Sequence, residues 1–537
     1  MADCLSFRST GFFSDLISDY IEQSQDLKPF YNRFPSIESF KDQISEKQKS
    51  YNQDNRKVLV EVIKEQYQSL STSEDTKFHI ESLHDSSTFT VTTGHQLNLF
   101  TGPLYFLYKI VSTLNLAKSL KENYPDFNFV PVYWMATEDH DFEEINYFNY
   151  QHKKLEWKTN AEGAVGHLST AGLDQLSKSI ETEFGKSDNA EYLKGLFKVA
   201  YLEHETLAEA TQFLANELFG DYGLVVLDAD DARLKSKFSK EIKNDLVYHT
   251  AFRQIEKQSD KLSKLGYGLQ VNPREINLFY LHEKIRSRIV QKDEYYHVLD
   301  TDIKFTETEL LDSVNQHPER FSPNVALRPL YQEVILPNLA YIGGGGELAY
   351  WLELKSYFEA EQVTFPSLML RNSVLLYSDK TSSKLNKLGT KIQDLFLSPD
   401  QLEAQHTKKI SKIDIDFSKQ KQALEKQFED LYELAKKTDE SFYGAVAAQE
   451  KKQKNGLDHL EKRLLKAQKR KLKSENERVL ELQQMLFPKQ SLQERSLNFS
   501  EIYIDYGERL IPKLIEELDP FQMKFLCLEL TIYNKKH

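Results

Sequence analysis

The stretch from Phe89 to Lys109, FTVTTGHQLNLFTGPLYFLYK, constrains the fold of this chain more than any other. A β-rich run ends at Gly94, passes through a short polar bend and enters a helix with Pro103 at its start. Proline suits the first helical position because its missing N–H would be unpaired there anyway, and Thr101 or Gly102 is placed to cap. Apolar residues then recur at helical spacing at Leu104, Leu107, Val111, Leu114, Ala117 and Leu120. A strand, a tight turn and a helix N-terminus form an anion site, since unpaired backbone N–H groups and the helix dipole aim at one spot. Thr93, Gly94, His95, Gln96 and Gly102 border that spot, and Lys109 joins them as a candidate binding residue. An ordinary βα turn whose polar residues only satisfy the backbone fits the same spacing.

A length of 537 residues predicts two to four domains. Hydrophobic content of 40% suffices to bury sizeable cores and excludes global disorder. With 69 basic and 82 acidic residues the net charge is −13, which argues against a general nucleic-acid or membrane-surface binder. Cys4 and Cys527 provide neither a disulfide framework nor a cysteine-rich zinc set. Residues 1–7 lack the basic and apolar regions of a signal peptide, and no apolar run approaches the roughly 20 residues of a membrane span. A soluble, cytoplasmic protein is expected.

Residues 1–85 read as a polar, mostly helical arm, with Phe12, Phe13, Leu16 and Ile17 opening an amphipathic segment. From about 86 to 380, strand-like runs at Phe89–Thr93, Phe129–Met135, Leu224–Leu227, Leu278–Leu281, Leu339–Ile342 and Ser367–Leu370 are separated by helical stretches. That pattern predicts an α/β domain with a parallel sheet covered by helices, carrying insertions near 150–220 and 265–335. Residues 381–487 are dense in Lys, Glu, Gln and Leu. Ile410, Phe417, Leu424 and Leu431 recur seven apart, with Ile413 and Leu434 on complementary positions. Leu465, Leu472, Val479 and Leu486 mark a second arm, and Gly444 and Gly456 bracket the expected turn. This predicts a long antiparallel α-helical coiled coil, projecting on the order of 60 Å and suited to dimerisation. The basic residues from Lys451 to Lys473 read as a solvated face paired with glutamates of the first arm. Residues 488–537 regain apolar character and are expected to pack back on the core.

Four constellations could carry chemistry. The apolar run ending at Trp134 gives way to Glu138, Asp139, His140 and Asp141, which should emerge at the carboxyl edge of a strand, where crevices of parallel sheets form. Such a cluster could bind a metal, shuttle a proton or hold a substrate ammonium; a polar helix cap is the plain alternative. A second buried strand ends in Asp228, Asp230 and Asp231, where a ligand contact and a helix cap fit equally. Asn324 and Arg328 precede the run Gly343, Gly344, Gly345, Gly346, Glu347, whose glycines let a ligand approach the backbone and place Glu347 and Tyr350 toward one pocket. Arg371 follows an apolar run and could offer a fixed positive charge to a phosphate. No GxxxxGK[ST] loop, strand-borne GxGxxG or HExxH is present, so a nucleotide must be held at another strand–helix junction.

The stretches TGHQLNLFTGPLYFLYK, PVYWMATEDHDFEEIN, GLVVLDADD, FSPNVALRPL and YIGGGGELAYWLELK, in that order before a coiled coil, resemble the bacillithiol-biosynthesis cysteine-adding enzymes, the BshC cysteine ligases. The resemblance spans essentially the whole chain. It implies a Rossmann-like core with connective-peptide insertions, similar to class I cysteinyl-tRNA synthetases, and a coiled coil associated with a homodimer. It also implies the last step of bacillithiol assembly, joining the carboxyl of L-cysteine to the amine of glucosaminyl-malate. Such a bond needs an activated carboxyl, so ATP or another nucleotide is expected as cosubstrate. Where class I relatives carry His-x-Gly-His this chain reads Thr93-Gly94-His95-Gln96, and it has no Lys-Met-Ser-Lys-Ser loop, so adenylate and acyl-phosphate routes both stay open. On this reading Gly94, His95, Gln96 and Gly102 surround the activated group. Glu138, Asp139, His140 and Asp141 bind the ammonium and move its proton. Asn324, Arg328 and the Gly343–Glu347 turn hold the malate or sugar, and Gln493, Glu494 and Arg495 mark a possible second nucleotide pocket. A metal-dependent hydrolase or transferase built on the Glu138–Asp141 cluster, and a non-catalytic coiled-coil scaffold, are the alternatives.

Overall fold

The computed structural model describes residues 3–531, so residues 1–2 of the expected N-terminal arm and 532–537 of the expected C-terminal segment lie outside it. The described residues divide into two compact units, one of residues 3–375 with 493–526, the other of residues 376–492 with 527–531.

In the first unit, strands β1 (Thr88–His95), β2 (Asn128–Met135), β3 (Val225–Asp228), β4 (Asn338–Gly343) and β5 (Ser367–Leu370) form a parallel sheet in the order β5-β4-β1-β2-β3. These strands are buried nearly throughout, as expected of a sheet covered on both faces. Register aligns His95 with Met135, Met135 with Asp228, and Gly343 with Leu370, so all five strands end along one edge. The chain leaves β1 toward β2 and returns only much later to β4 on the other side. Ligands of such sheets bind outside the strand ends at this reversal. Helix α1 (Tyr105–Asn123) crosses from β1 to β2, α2 (Ala232–Ser236) follows β3, α3 (Arg328–Ile335) leads into β4, and α4 (Gly345–Leu352) follows it.

The core joins Phe89 and Val91 of β1, Leu116 and Leu120 of α1, Phe129 of β2, Ile342 of β4 and Met369 of β5 to Phe40 and Ile44 of the N-terminal arm. Full burial of side chains of this kind contributes roughly 1.5–3 kcal/mol each. A second arm helix, Asp15–Ile21, buries Leu16, Ile17 and Tyr20, and the Tyr20 hydroxyl donates to Leu368 O at 2.7 Å.

Of the six runs read as strands of the parallel sheet, Leu278–Leu281 belongs elsewhere. It lies in a five-stranded antiparallel sheet with residues 285–292, 295–298, 304–305 and 321–323. Tight turns at Glu283 and Asp293, both left-handed with φ of 46° and 54°, fold consecutive strands back on each other. Neither is an Asn-Gly or Asp-Gly turn, so the hairpins left no sequence signal.

The second unit contains α5 (Pro399–Ile410), α6 (Ser418–Ala435), α7 (Glu440–Lys471) and α8 (Lys473–Leu486). Helices α6 and α7 are antiparallel, packed through Leu424, Phe428, Tyr432, Ala435 and Val446. Lys421 pairs with Asp458 and Glu461, each at 2.7 Å, and Lys454 with Glu425 at 2.9 Å, which fixes the register. The expected turn at Gly444–Gly456 is a helical interior instead. The chain reverses just before Asp439, whose side chain caps α7 by accepting from Phe442 N at 2.9 Å. A cooperative 32-residue helix absorbs two glycines at about 1 kcal/mol each. The expected seam is shifted as well: Ile413, Leu431 and Leu434 are exposed, and Leu472 separates α7 from α8.

Within the first unit, a buried ion pair ties the arm to the segment that leads into β4. Lys47 meets Glu333 of α3 at 3.0 Å with both side chains almost fully buried, and Asn338 and Gln332 donate to the same carboxylate. Lys47→Met leaves that carboxylate without its cation and is expected to cost about 3–5 kcal/mol, read as a drop in urea midpoint. The double variant Lys47→Met/Glu333→Leu should recover most of the loss.

Candidate active site

At the carboxyl edge of the sheet lies a crevice of about 740 Å³. The strand-end residues Gly94, Trp134 and Glu138–Asp141 line it, as do Asn324, Arg328, Tyr350 and Arg371.

Its central brace is Lys109 of α1. The buried ammonium donates to Gly94 O at 2.6 Å and meets Glu347 at 2.6 Å. Glu347 also accepts from Tyr341 OH at 2.7 Å and from Gly344 N at 2.9 Å. Burial lowers the lysine pKa against the pull of Glu347. Burial would raise that of Glu347, but Lys109 outweighs it and holds the carboxyl below its usual range. Glu347 is therefore held by three protein donors while its side chain still borders the crevice.

The four glycines form no loose loop. Gly343 ends β4, Gly344 caps α4, and Gly345 and Gly346 form its first turn. Gly344, Gly345 and Gly346 border the crevice, whereas Gly343 does not; a Cβ there would stand 2.6 Å from Leu348 Cδ1. Backbone N–H groups in a first helical turn have no partner within the helix. Beside them lies Arg371, whose Nη2 meets the buried Glu494 at 2.7 Å while its buried Nε has no hydrogen-bond partner. The guanidinium sits 5.0 Å from the Tyr105 ring centroid. Helix N-terminus and guanidinium together make the anion cradle of this crevice.

The cradle expected at the start of α1 is closed. Helix α1 begins at Tyr105, two residues past Pro103, with no side-chain cap from Thr101 or Gly102. Leu104 N donates to Leu497 O at 2.7 Å, and the Asn498 amide donates to Phe100 O and Gly102 O. Thr93 and Gly102 lie outside the crevice: Thr93 Oγ1 bonds Ile342 O, and Gly102 adopts φ 61° against Asn98. His95 reaches the crevice edge, but its ring is buried against Tyr105 and Phe106. Burial first, then Lys109 and Arg371, push its pKa well below the ordinary value, so it is a neutral imidazole and not a cation for phosphate.

Glu138–Asp141 follow β2 as expected. Gln96 Nε2 donates to Asp139 Oδ2 at 2.9 Å, and His140 N to Asp139 Oδ1 at 2.8 Å. Burial would raise Asp139, yet these bonds hold it down at about 2. Burial, followed by Asp139, raises Asp141. Arg286 of the antiparallel sheet donates to His140 Nδ1 at 2.5 Å and lies 4.0 Å from the Phe279 ring centroid. Asp139, His140 and Asp141 have donor atoms close enough together to hold a metal, but an ion on His140 Nδ1 would have to displace this guanidinium.

Arg328 is half-buried, 5.6 Å from the Tyr341 ring centroid and bonded through Nη1 to Gln332 at 3.0 Å, and its buried Nη2 has no hydrogen-bond partner. Asn324 is engaged with Asn277 and with the backbone of Ala326. Asp228 is turned from the crevice: it accepts from Asp230 N at 3.0 Å, and burial raises it to about 6. Asp231 takes the capping role, accepting from Arg233 N at 2.8 Å. Of the residues marking a second nucleotide pocket, Gln493 and Glu494 are buried, the latter held by Arg371 and Val374 N; Arg495 borders the main crevice.

Sequence reasoning missed Arg274, Arg286, Arg288 and Tyr105, which also line the crevice. Arg286 and Arg288 stand two apart on one strand and so share a face, a period-two signal legible only once that strand is known.

A switch-point crevice, cationic at one end and acidic at the other, defines a Rossmann-like α/β protein with a built ligand site. Residues 1–372 match the family description "Bacillithiol biosynthesis BshC, N-terminal Rossmann-like domain", and residues 374–530 match "Bacillithiol biosynthesis BshC, C-terminal coiled-coil domain". The chain is 58% identical to a protein of Christiangramia forsetii over 98% of each chain. It is 56% identical to one of Flavobacterium psychrophilum over 98% of this chain and 99% of the relative. A protein of Lysinibacillus sphaericus is 28% identical over 94% and 96%. All three carry the name "Putative cysteine ligase BshC". The chain belongs to the BshC family. Among the described residues, no helix is long and apolar enough to cross a membrane.

Asp139 gives a pH test. Its folded pKa lies below the ordinary 3.8, so its contribution to stability is complete above about pH 4 and is lost as pH falls toward 2. Acid titration monitored by tryptophan fluorescence should show the gap between wild type and Asp139→Asn closing over that window. A gap independent of pH contradicts the assignment.

Proposed function

We propose that this chain is a cysteine ligase that joins the carboxyl of L-cysteine to the amine of glucosaminyl-malate, with ATP or another nucleotide as the activating cosubstrate. The observation that carries the reading is the polarity of the crevice, which sets an anion cradle opposite a cluster of carboxylates.

Amide formation needs two things that water does not supply together: an acyl carbon bearing a good leaving group and an amine stripped of its proton. The first turn of α4 and Arg371 suit the phosphate of an activated cysteine, and they serve an adenylate and an acyl phosphate alike. Asp139 and Asp141 attract the acceptor's ammonium, and Glu138 takes its proton. The amine nitrogen then forms a bond to the acyl carbon, the acyl carbon–oxygen bond breaks, and the electron pair leaves on the phosphate oxygen. Burial raises Glu138 above the ordinary carboxylate value against the pull of Lys235, which makes it a stronger base. The planar forks of Arg328, Arg288 and Arg274 suit the two carboxylates of malate.

Glu138→Gln should lower cysteine addition by about 10²–10⁴-fold, the scale of a lost general base, followed by mass spectrometry of bacillithiol formed from cysteine, glucosaminyl-malate and ATP. Unchanged turnover removes Glu138 from the mechanism.

A homodimer through the coiled coil accompanies this proposal, supported by the exposed apolar row Leu431, Leu434, Phe442 and Tyr443. Light scattering should give a dimer for the intact chain and a monomer for Leu431→Lys/Phe442→Lys. A monomeric intact chain contradicts it.

A further inference from the structure

We infer that Lys235 is a positioning residue that keeps Glu138 ionised as a base, and that Asp230 and His167 hold Lys235 in place. The inference rests on the reading of Glu138 as the base.

Lys235 is 1% exposed and its ammonium has three partners: Glu138 Oε1 at 2.6 Å, Asp230 Oδ1, and Glu319 O at 2.9 Å. Asp230 Oδ1 and Glu319 O accept hydrogen bonds and Glu138 Oε1 is an ion-pair partner, so three oxygens surround the buried ammonium. The second oxygen of Asp230 lies 2.9 Å from His167 Nε2, and His167 is 59% exposed. A line of four ionisable groups therefore runs from the crevice to solvent. Helix α2 supplies the lysine, and Arg233 anchors that helix by pairing with Asp231 at 2.8 Å and Glu65 at 2.7 Å.

The segment bearing His167 is seated on the turn that bears Glu138. Val165 N donates to Asp139 O at 2.7 Å and Gly166 N to Thr137 O at 2.9 Å. A Cβ on Gly166 would stand 2.0 Å from Thr137 Cγ2, so only glycine permits this approach. The brace and the base are thus built against each other.

The charges facing Glu138 are Lys235, Asp230 and, from the antiparallel sheet, Arg286. Those facing His167 are Asp230, Asp228 and Lys235. Without Lys235, Glu138 and Asp230 would be two buried carboxylates in one site, and one of them would take a proton. Burial drives Glu138 upward, and Lys235 is the foremost group opposing the rise. Burial would raise Asp230 as well, but Lys235 and His167 bring it to about 2. Glu138 and Asp230 are thus coupled through Lys235, which opposes the effect of burial on both.

The test uses the full chain with ¹³C-carboxyl glutamate, the Glu138 signal being assigned by its loss in Glu138→Gln. Lys235→Met should move the Glu138 midpoint upward by roughly one to three pH units, and the acidic limb of kcat/KM for cysteine addition should move with it. Asp230→Asn, which removes the competing anion and keeps the lysine paired, should move both downward. Lys235→Arg should restore the wild-type limb at reduced kcat. A midpoint that stays put in both Lys235→Met and Asp230→Asn overturns the inference, as does a shift of the same sign in both. If Lys235→Met does not fold, the downward shift in Asp230→Asn still decides. A wild type that titrates as described yet forms no bacillithiol would remove the ligase reading while leaving the coupling of Lys235 to Glu138 in place.

Discussion

The ion pair between Lys109 and Glu347 is the contact on which the crevice depends. It joins the end of β1, through Gly94 O, to the start of α4, through Glu347 and Gly344 N, across the point where strand order reverses. The strands themselves are paired up to Thr93 and Ile342, and the ion pair joins the segments that diverge beyond them. Breaking a buried pair strands a charge in a low-dielectric interior and costs about 3–5 kcal/mol. The pair also fixes what the crevice can offer: Glu347 and Lys109 neutralise each other, and Arg371 is paired with Glu494 but keeps an unbonded Nε.

The rest of the site is a division of charge. One end gathers first-turn amides and a guanidinium with an unused Nε; the other gathers Glu138, Asp139 and Asp141 beneath Arg286. Each end is held by groups outside the crevice, Glu494 behind Arg371 and Lys235 behind Glu138. That arrangement lets strongly charged groups face a ligand without meeting one another. The coiled coil is held by other means, a short apolar seam with Lys–Glu and Lys–Asp pairs setting register.

Much of this was legible in the residues. Runs of Val, Ile, Thr and aromatic residues between amphipathic helices marked five strands of the parallel sheet. The abrupt change from Trp134 to Glu138–Asp141 marked the acidic end. Other features were hidden for physical reasons. The start of α1 is sealed by Leu497 and Asn498, almost 400 residues away in sequence. His95 reads as a neighbour of the activated group, and its burial against Tyr105 and Phe106 was not legible. Asp228, Asp230 and Asp231 look alike as letters, yet one is turned aside, one pairs with Lys235 and one caps a helix. The hairpin turn followed its aspartate cap rather than its glycines, because helix propagation outweighs two isolated glycines.

The central claim is that this single crevice receives the acceptor amine against Glu138 and the activated carboxyl against Arg371. A crystal structure of the full chain with glucosaminyl-malate bound tests it most directly. Density with the amine within hydrogen-bond distance of Glu138 and the malate carboxylates on Arg328, Arg288 or Arg274 is the predicted result. Glucosaminyl-malate bound at saturating concentration anywhere else, with this crevice holding only water, would contradict it.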